Sequence, residues 1–418
     1  MPELAELPQQ ARERIAAMGG AEVIIGILAP SEPQRFDKLI ADIRQSAADL
    51  YPQLRTVVVH SADQPAREIP PDPALRLLPL PLFRSDAPLD GAQRIIAAYQ
   101  SLFVVSRNLG ARVTAVVVSD LETVTSQWIS RLIRPALDLE FDLVAPCYDH
   151  SRFEGLLNSS IVSPLTRALY GKRIQHPLGP DFGFSGRLIN RLLLNAGATQ
   201  AARSRSLASI AVDAVCDGFE VCEANVGVRR YPSTDWMNQS SVLAQILGPL
   251  FNEAEHRASF WQRIRGSESI PLFGDETRFT DEPAADTDGI DTARMIESFQ
   301  LGCRNLPEIW GVVLPPGAML ELTKLSRLPV SQFRVPDALW ARVIYDFALG
   351  YRLRIINQDH LLRAMTPLYL AWVASYALEL GNAAPDALAQ RLEQWSLALE
   401  AAKPYALSRW RWPDRFNP

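Results

Sequence analysis

Two acids close an apolar run. TAVVVSDLET, residues 114 to 123, stops at Ser119, Asp120, Leu121 and Glu122. Mg²⁺ and Mn²⁺ take hard oxygen ligands, often one or two carboxylates together with diphosphate oxygens, so Asp120 and Glu122 can hold a nucleotide-bound metal. The same residues suit helix initiation: Ser119 or Asp120 as N-cap, and Glu122 near the positive end of a helix over TVTSQWISRLIRPAL. Residue types leave both readings open.

A second stretch, HPLGPDFGFSG (176 to 186), sets three glycines and two prolines around Asp181, with Phe182 and Phe184 beside it. Glycines allow a backbone to approach a ligand closely, and an acid on such a loop can accept hydrogen bonds from sugar hydroxyls. The alternative is a tight turn entering a helix near Arg187. Arg229 and Arg230 end the run EVCEANVGV, where they form either a phosphate contact or a solvated edge. The five histidines are scattered, and His60 and His176 fall at expected strand or loop ends. The patterns GxxxxGK[ST], HExxH and GxSxG are absent, which removes support for phosphate-loop, zinc-protease and α/β-hydrolase chemistry.

The elements that must place these residues follow from periodicity. Apolar runs at 23 to 29, 54 to 60, 111 to 120 and 141 to 148 alternate with helical patterns at 36 to 51 and 92 to 109, the order of a βαβ-type, largely parallel sheet. Ligands of such sheets sit beyond the carboxyl ends of the strands, so His60, Ser61, Asp63, Asp120 and Glu122 are expected around one crevice. The proline-rich stretch from Asp63 to Pro88 reads as a long irregular connection. After Tyr231 the patterns become helical, interrupted by a polar linker at 274 to 291. The expected division is a sheet domain over 1 to 235 and a helical region over 236 to 418.

At 48% hydrophobic and 21% charged residues, 418 residues can bury a large core. A net charge of −5 gives no overall basic footprint for nucleic acid. No apolar stretch reaches the ~20 residues that span a bilayer, and MPELAELPQQARERIAAMGG lacks the apolar segment of a secretory signal. Cytoplasmic localisation is therefore expected. The four cysteines lack CxxC spacing and read as buried thiols.

The segment FDLVAPCYDHSRFEGLLNSSIVSPLTRALYGKRIQHPLGPDFGFSGRL (141 to 188) resembles the central part of nucleotide-sugar glycosyltransferases of the GT-A fold, closest to the glucosyl-3-phosphoglycerate and mannosylglycerate synthase group. The stretches 294 to 316, 333 to 353 and 359 to 370 resemble the helical C-terminal part of that group. The resemblance implies a Rossmann-like, mostly parallel α/β domain followed by a mainly α-helical region. It also implies a nucleoside-diphosphate sugar donor, a Mg²⁺ or Mn²⁺ ion, and transfer to a small hydroxyl acceptor; a homo-oligomer is compatible with it. By that resemblance Asp63 falls near the acid at the nucleobase, Asp120 matches the metal acid, and Asp181 matches the acid that holds donor sugar or acceptor.

The chain departs from the group's pattern at several of these places. Val118 stands where the motif's first acid would be, and the diphosphate loop reads Pro88, Leu89, Asp90, Gly91, without its lysine. Leu207 replaces an acid, Arg229, Arg230 and Tyr231 replace a metal-binding histidine, and Pro180 replaces a glycine beside Asp181. Losing a lysine and a metal ligand removes charge that would stabilise a leaving diphosphate. Glu122 and Arg229 or Arg230 are the candidates to fill the gap, since an arginine can balance diphosphate charge; Asp90 is a candidate at the donor loop. Two functions stay open: a glycosyltransferase, or a degenerate member acting as a binding or regulatory module.

Overall fold

A computed structural model of the chain describes residues 7–28, 33–50, 52–61, 75–80, 91–118, 123–149, 151–197, 206–229, 234–276, 279, 290–381 and 383–413. The chain forms two compact units, each discontinuous in sequence: 1–149 with 176–230 and 270–277, and 150–175 with 231–269 and 278–418. Segment 150–175 belongs with the later helices, and 270–277 with the sheet.

The first unit is built on eight strands: β1 (Val23–Ile27), β2 (Thr56–Ser61), β3 (Leu75–Leu80), β4 (Val113–Val117), β5 (Leu143–Asp149), β6 (Phe182–Ser185), β7 (Val221–Val228) and β8 (Leu272–Phe273). Their order is β3-β2-β1-β4-β6-β5-β7-β8. All neighbours pair parallel except β6, which runs antiparallel to both β4 and β5. The unit's helices are α1 (Gln9–Met18), α2 (Pro33–Leu50), α3 (Gly91–Leu109), α4 (Ser126–Asp138), α6 (Gly186–Gly197) and α7 (Leu207–Cys216); α5 (Ser163–Tyr170) belongs to the other unit. This is the α/β, mostly parallel class that the alternating pattern indicates, and the Rossmann-like arrangement that the resemblance implies.

β1, β2, β4 and β5 read as continuous Val, Ile, Leu and Ala because both faces of the sheet are covered, with Val23–Ile27 and Val113–Val117 buried throughout. On one face Phe36, Leu39, Ile40 and Ile43 of α2 and Trp128, Ile129, Leu132 and Ile133 of α4 join the sheet in one core. Three strands are not legible in the pattern: β3, β6 and the two-residue β8. β3 lies inside the stretch read as irregular, and its Pro79 is tolerated because β3 is the sheet edge, where a lost ladder donor costs little. β6 lies in the stretch read as a turn. A Cβ on its Gly183 would sit 2.0 Å from the Leu132 carbonyl oxygen, so only glycine lets α4 lie so close.

Opposite the carboxyl edge, Asp142 fixes β6 in place. It accepts hydrogen bonds from Ser185 Oγ at 2.6 Å, Arg187 at 3.1 and 2.8 Å, and the Glu220 N–H at 3.2 Å.

The second unit is helical: α5, α8 (Ser240–His256), α9 (Ala258–Trp261), α10 (Thr292–Asn305), α11 (Pro307–Val313), α12 (Pro316–Leu325), α13 (Asp337–Leu353), α14 (Gln358–Ala364), α15 (Thr366–Leu380), α16 (Pro385–Ala401) and α17 (Lys403–Arg411). Several charged side chains are buried here against polar partners. Arg167 of α5 meets Glu393 at 2.6 and 2.9 Å and Glu400 at 3.1 Å. Lys403 donates to the carbonyls of Ala168 (2.6 Å) and Leu169 (3.2 Å), filling acceptors left open where α5 ends. Asp346 of α13 receives the Tyr405 hydroxyl at 3.0 and 2.8 Å and Arg409 Nε at 3.1 Å, tying α13 to α17. Among the described residues no helix is long and apolar enough to cross a membrane.

Candidate functional site

The carboxyl ends of β4, β5 and β7 lie along one edge of the sheet, and antiparallel β6 begins at that edge. Asp181 immediately precedes β6 and is fully buried. Its Oδ1 accepts the Val118 N–H at 2.7 Å, and its Oδ2 accepts the Tyr148 hydroxyl at 2.6 Å. The carboxylate thus joins the first residue beyond β4 to the end of β5. Both oxygens of Asp181 are used within the protein.

Tyr148 is the centre of the arrangement. Its ring packs against Trp128 (5.7 Å between centroids), meets His176 edge-on (5.2 Å), and carries the Arg229 guanidinium 5.0 Å above its centroid. Arg229 follows β7 and gives its backbone N–H to the Asp149 carbonyl at 3.1 Å. A cation beside an aromatic face at a strand end is held without losing its charge. The other side of the Asp181 loop is held by Tyr99 of α3, whose hydroxyl donates to the Pro180 carbonyl. Burial, and then the negative charge of Asp181, push the Tyr99 hydroxyl well above its ordinary range, so it remains a donor.

The turn before Asp181 is set by its small residues. Gly179 gives its N–H to the His176 carbonyl at 2.8 Å, and a Cβ there would lie 2.4 Å from Pro146 Cγ. His176 and His60 are both buried, His176 against Tyr148 and His60 5.0 Å from the Phe36 ring.

Of the residues singled out in the sequence, the structure therefore brings together Val118, His176, Pro180, Asp181 and Arg229. Leu207 opens α7, away from these contacts in the chain. Asp63, Asp90, Asp120, Glu122, Arg230 and Tyr231 lie outside the described residues. The N-cap of α4 is Thr125, whose Oγ1 accepts the Trp128 N–H at 3.2 Å. Sequence reasoning did not find Tyr148 or Tyr99. Both sit within apolar stretches, and nothing in their spacing marks a hydroxyl that reaches across the sheet edge.

Among the described residues no group of three or more His, Cys, Asp or Glu could hold a metal ion. The described donors at this edge do not make a metal site of their own: the Asp181 oxygens are engaged, and at the end of β7 stands a guanidinium that would repel a cation.

No protein-family model matches the chain, and no curated protein matches it. Among solved structures it is similar to glucosyl-3-phosphoglycerate synthase from Mycobacterium tuberculosis in complex with Mn²⁺, UDP-glucose and phosphoglyceric acid, at 16% identity and a TM-score of 0.37, covering 58% of this chain and 83% of that one. It is also similar to mannosyl-3-phosphoglycerate synthase from Rubrobacter xylanophilus, at 11% identity and a TM-score of 0.37, covering 63% and 83%. A mannosyltransferase from Pyrobaculum calidifontis in complex with GDP-mannose and Mn²⁺ matches at 15% identity and a TM-score of 0.30, covering 94% and 88%. These include the group that residues 141 to 188 resemble. At such TM-scores the likeness carries no argument about activity.

Proposed function

We propose that the sheet unit binds a nucleoside-diphosphate sugar and that the protein transfers the sugar to a hydroxyl acceptor. The observation that carries this reading is the Asp181–Tyr148–Arg229 chain at the carboxyl edge, which presents a fixed guanidinium where ligands of parallel sheets bind. A guanidinium matches diphosphate oxygens in charge and geometry. In this reading Arg229, with Arg230 beside it in sequence, takes up part of the diphosphate charge. Asp63 is assigned to the nucleobase and Asp90 to the loop that meets the donor.

Asp120 and Glu122 are the residues that would hold a Mg²⁺ or Mn²⁺ ion. When bound, such an ion neutralises charge on the departing diphosphate. Asp181 then acts by position. Through Val118 it anchors the end of β4, two residues before Asp120, and through Tyr148 it sets the platform on which Arg229 rests. Cytoplasmic localisation belongs to the same proposal and agrees with four free cysteines.

The second reading, a binding module without turnover, is favoured by one observation: the acid expected to orient a sugar has both oxygens bonded inside the protein. Thermal-shift titration with UDP- and GDP-sugars, with and without Mn²⁺, tests the donor site, because selective binding to the native state raises its stability. Wild type should shift and Arg229→Ala should shift less; no shift with any donor sinks the proposal. Release of nucleoside diphosphate in the presence of hydroxyl acceptors separates enzyme from module, since a module binds donor and releases none.

A further inference from the structure

The chain holds nine tryptophans. Eight are at most 8% exposed, while Trp412, directly after α17, is 68% exposed. Indoles are rarely left in water without a reason, and the surroundings of this one, all within the helical unit, are unusual. Arg411 donates to Gln262 at 3.3 Å, Arg352 donates to the Trp410 carbonyl at 2.9 Å and stacks over its ring at 4.5 Å, and Trp410 meets Trp261 at 5.2 Å. These contacts, with the Trp261 indole N–H donated to the Ala254 carbonyl at 2.8 Å and Arg354 3.5 Å from Glu255, bring the ends of α8, α9, α13 and α17 together. At the end of α13, Leu353 and Ile355 are 37% and 45% exposed.

Segments 253–265, 351–355 and 410–412 carry six arginines, Arg257, Arg263, Arg265, Arg352, Arg354 and Arg411, and two carboxylates, Glu253 and Glu255, which pair with Arg257 and Arg354. Glu400 adjoins them at Ser267 and pairs with Arg167. Arg263, Arg265 and Arg411 are exposed. The chain as a whole is at −5, so the basic charge is local and the overall balance conceals it.

We infer that this face is a docking surface for an anionic lipid membrane. Exposed indole and aliphatic side chains ringed by arginines match an interface where apolar groups enter the headgroup boundary and cations meet lipid phosphates. Nucleic acid would use the arginines but leave three apolar side chains in water. The binding is peripheral and needs no spanning helix. It stands apart from the donor site, since vesicle binding is read without nucleotide.

The test uses the full chain and vesicles of phosphatidylcholine, alone or mixed with phosphatidylglycerol. The protein should sediment with the mixed vesicles, not with phosphatidylcholine alone, and about tenfold less at high salt, where exposed charges are screened. Brominated acyl chains should quench its fluorescence, and Trp412→Phe should bind with that quenching lost. Arg263→Glu combined with Arg265→Glu and Arg411→Glu should lower binding about tenfold or more with an unchanged melting curve. Failure to bind the mixed vesicles, quenching that persists in Trp412→Phe, or equal affinity for duplex DNA would each overturn the inference.

Discussion

Asp181 in the sheet unit and Asp346 in the helical unit are both carboxylates removed from water and bonded to a tyrosine hydroxyl, yet they do different work. Asp346 also meets Arg409, itself buried, and locks one helix to another. Asp181 also meets a backbone N–H, at the point where β4 ends and the candidate metal acids begin two residues later. One acid neutralises a buried cation inside a scaffold. The other sets the height of a strand end and the orientation of the ring beneath Arg229. The difference teaches that burial of an acid is not by itself a sign of chemistry; what its partners are connected to decides.

That contrast can be broken by substitution. Asp346→Ala leaves the Arg409 guanidinium buried without its acid and should cost about 3–5 kcal/mol in denaturant unfolding. Asp181→Ala leaves a buried phenol and a buried N–H with a lost acceptor, and should cost about 2–4 kcal/mol. It should also weaken donor binding, whereas Asp346→Ala should leave donor affinity of the folded fraction unchanged. Equal effects of the two variants on donor binding would erase the distinction.

A pH series sharpens the same point. Burial, opposed by Arg409 and the Tyr405 hydroxyl, pushes Asp346 up to about 6 from its ordinary 3.8. A carboxyl raised in the folded state contributes stability that is present below about pH 4 and lost as pH rises through 6, on the order of 1–3 kcal/mol. The stability difference between wild type and Asp346→Asn should therefore drift between pH 4 and 7, read from denaturation midpoints.

Smaller effects test the platform. Tyr148→Phe removes one hydrogen bond to Asp181 and keeps the ring, so it should cost about 1–2 kcal/mol while Arg229 stays over the ring. Arg229→Ala should cost less than about 1 kcal/mol, the worth of a partly exposed cation over an aromatic face. Its effect should show in donor titration instead; a variant that binds donors like wild type removes Arg229 from the site.

Much of this was legible. Continuous Val, Ile and Leu runs marked β1, β2, β4 and β5, and period 3.6 marked α2 and α3, because burial on two faces or one stripe leaves that trace in composition. β3 escaped because Pro79 argues against a strand, and only its place at the sheet edge makes proline acceptable. β6 escaped because Gly183 and the prolines before it have the composition of a turn. Thr125 escaped as the α4 cap because Ser119 and Asp120 have the same chemistry a few residues earlier, and helix starts differ by where the chain leaves the strand.

By itself, the sequence determined an alternating sheet-and-helix unit followed by helices, the acids near one strand end, and a single loop acid at Asp181. Those follow from local periodicity and residue type. What only the tertiary structure decided is the direction in which that acid points. Its partners, Val118 and Tyr148, lie 63 and 33 residues away and meet it only because β6 runs backwards between β4 and β5. A hydrogen bond between distant residues leaves no period in a sequence, so residue types alone leave Asp181 open between a ligand-facing acid and part of a tight turn.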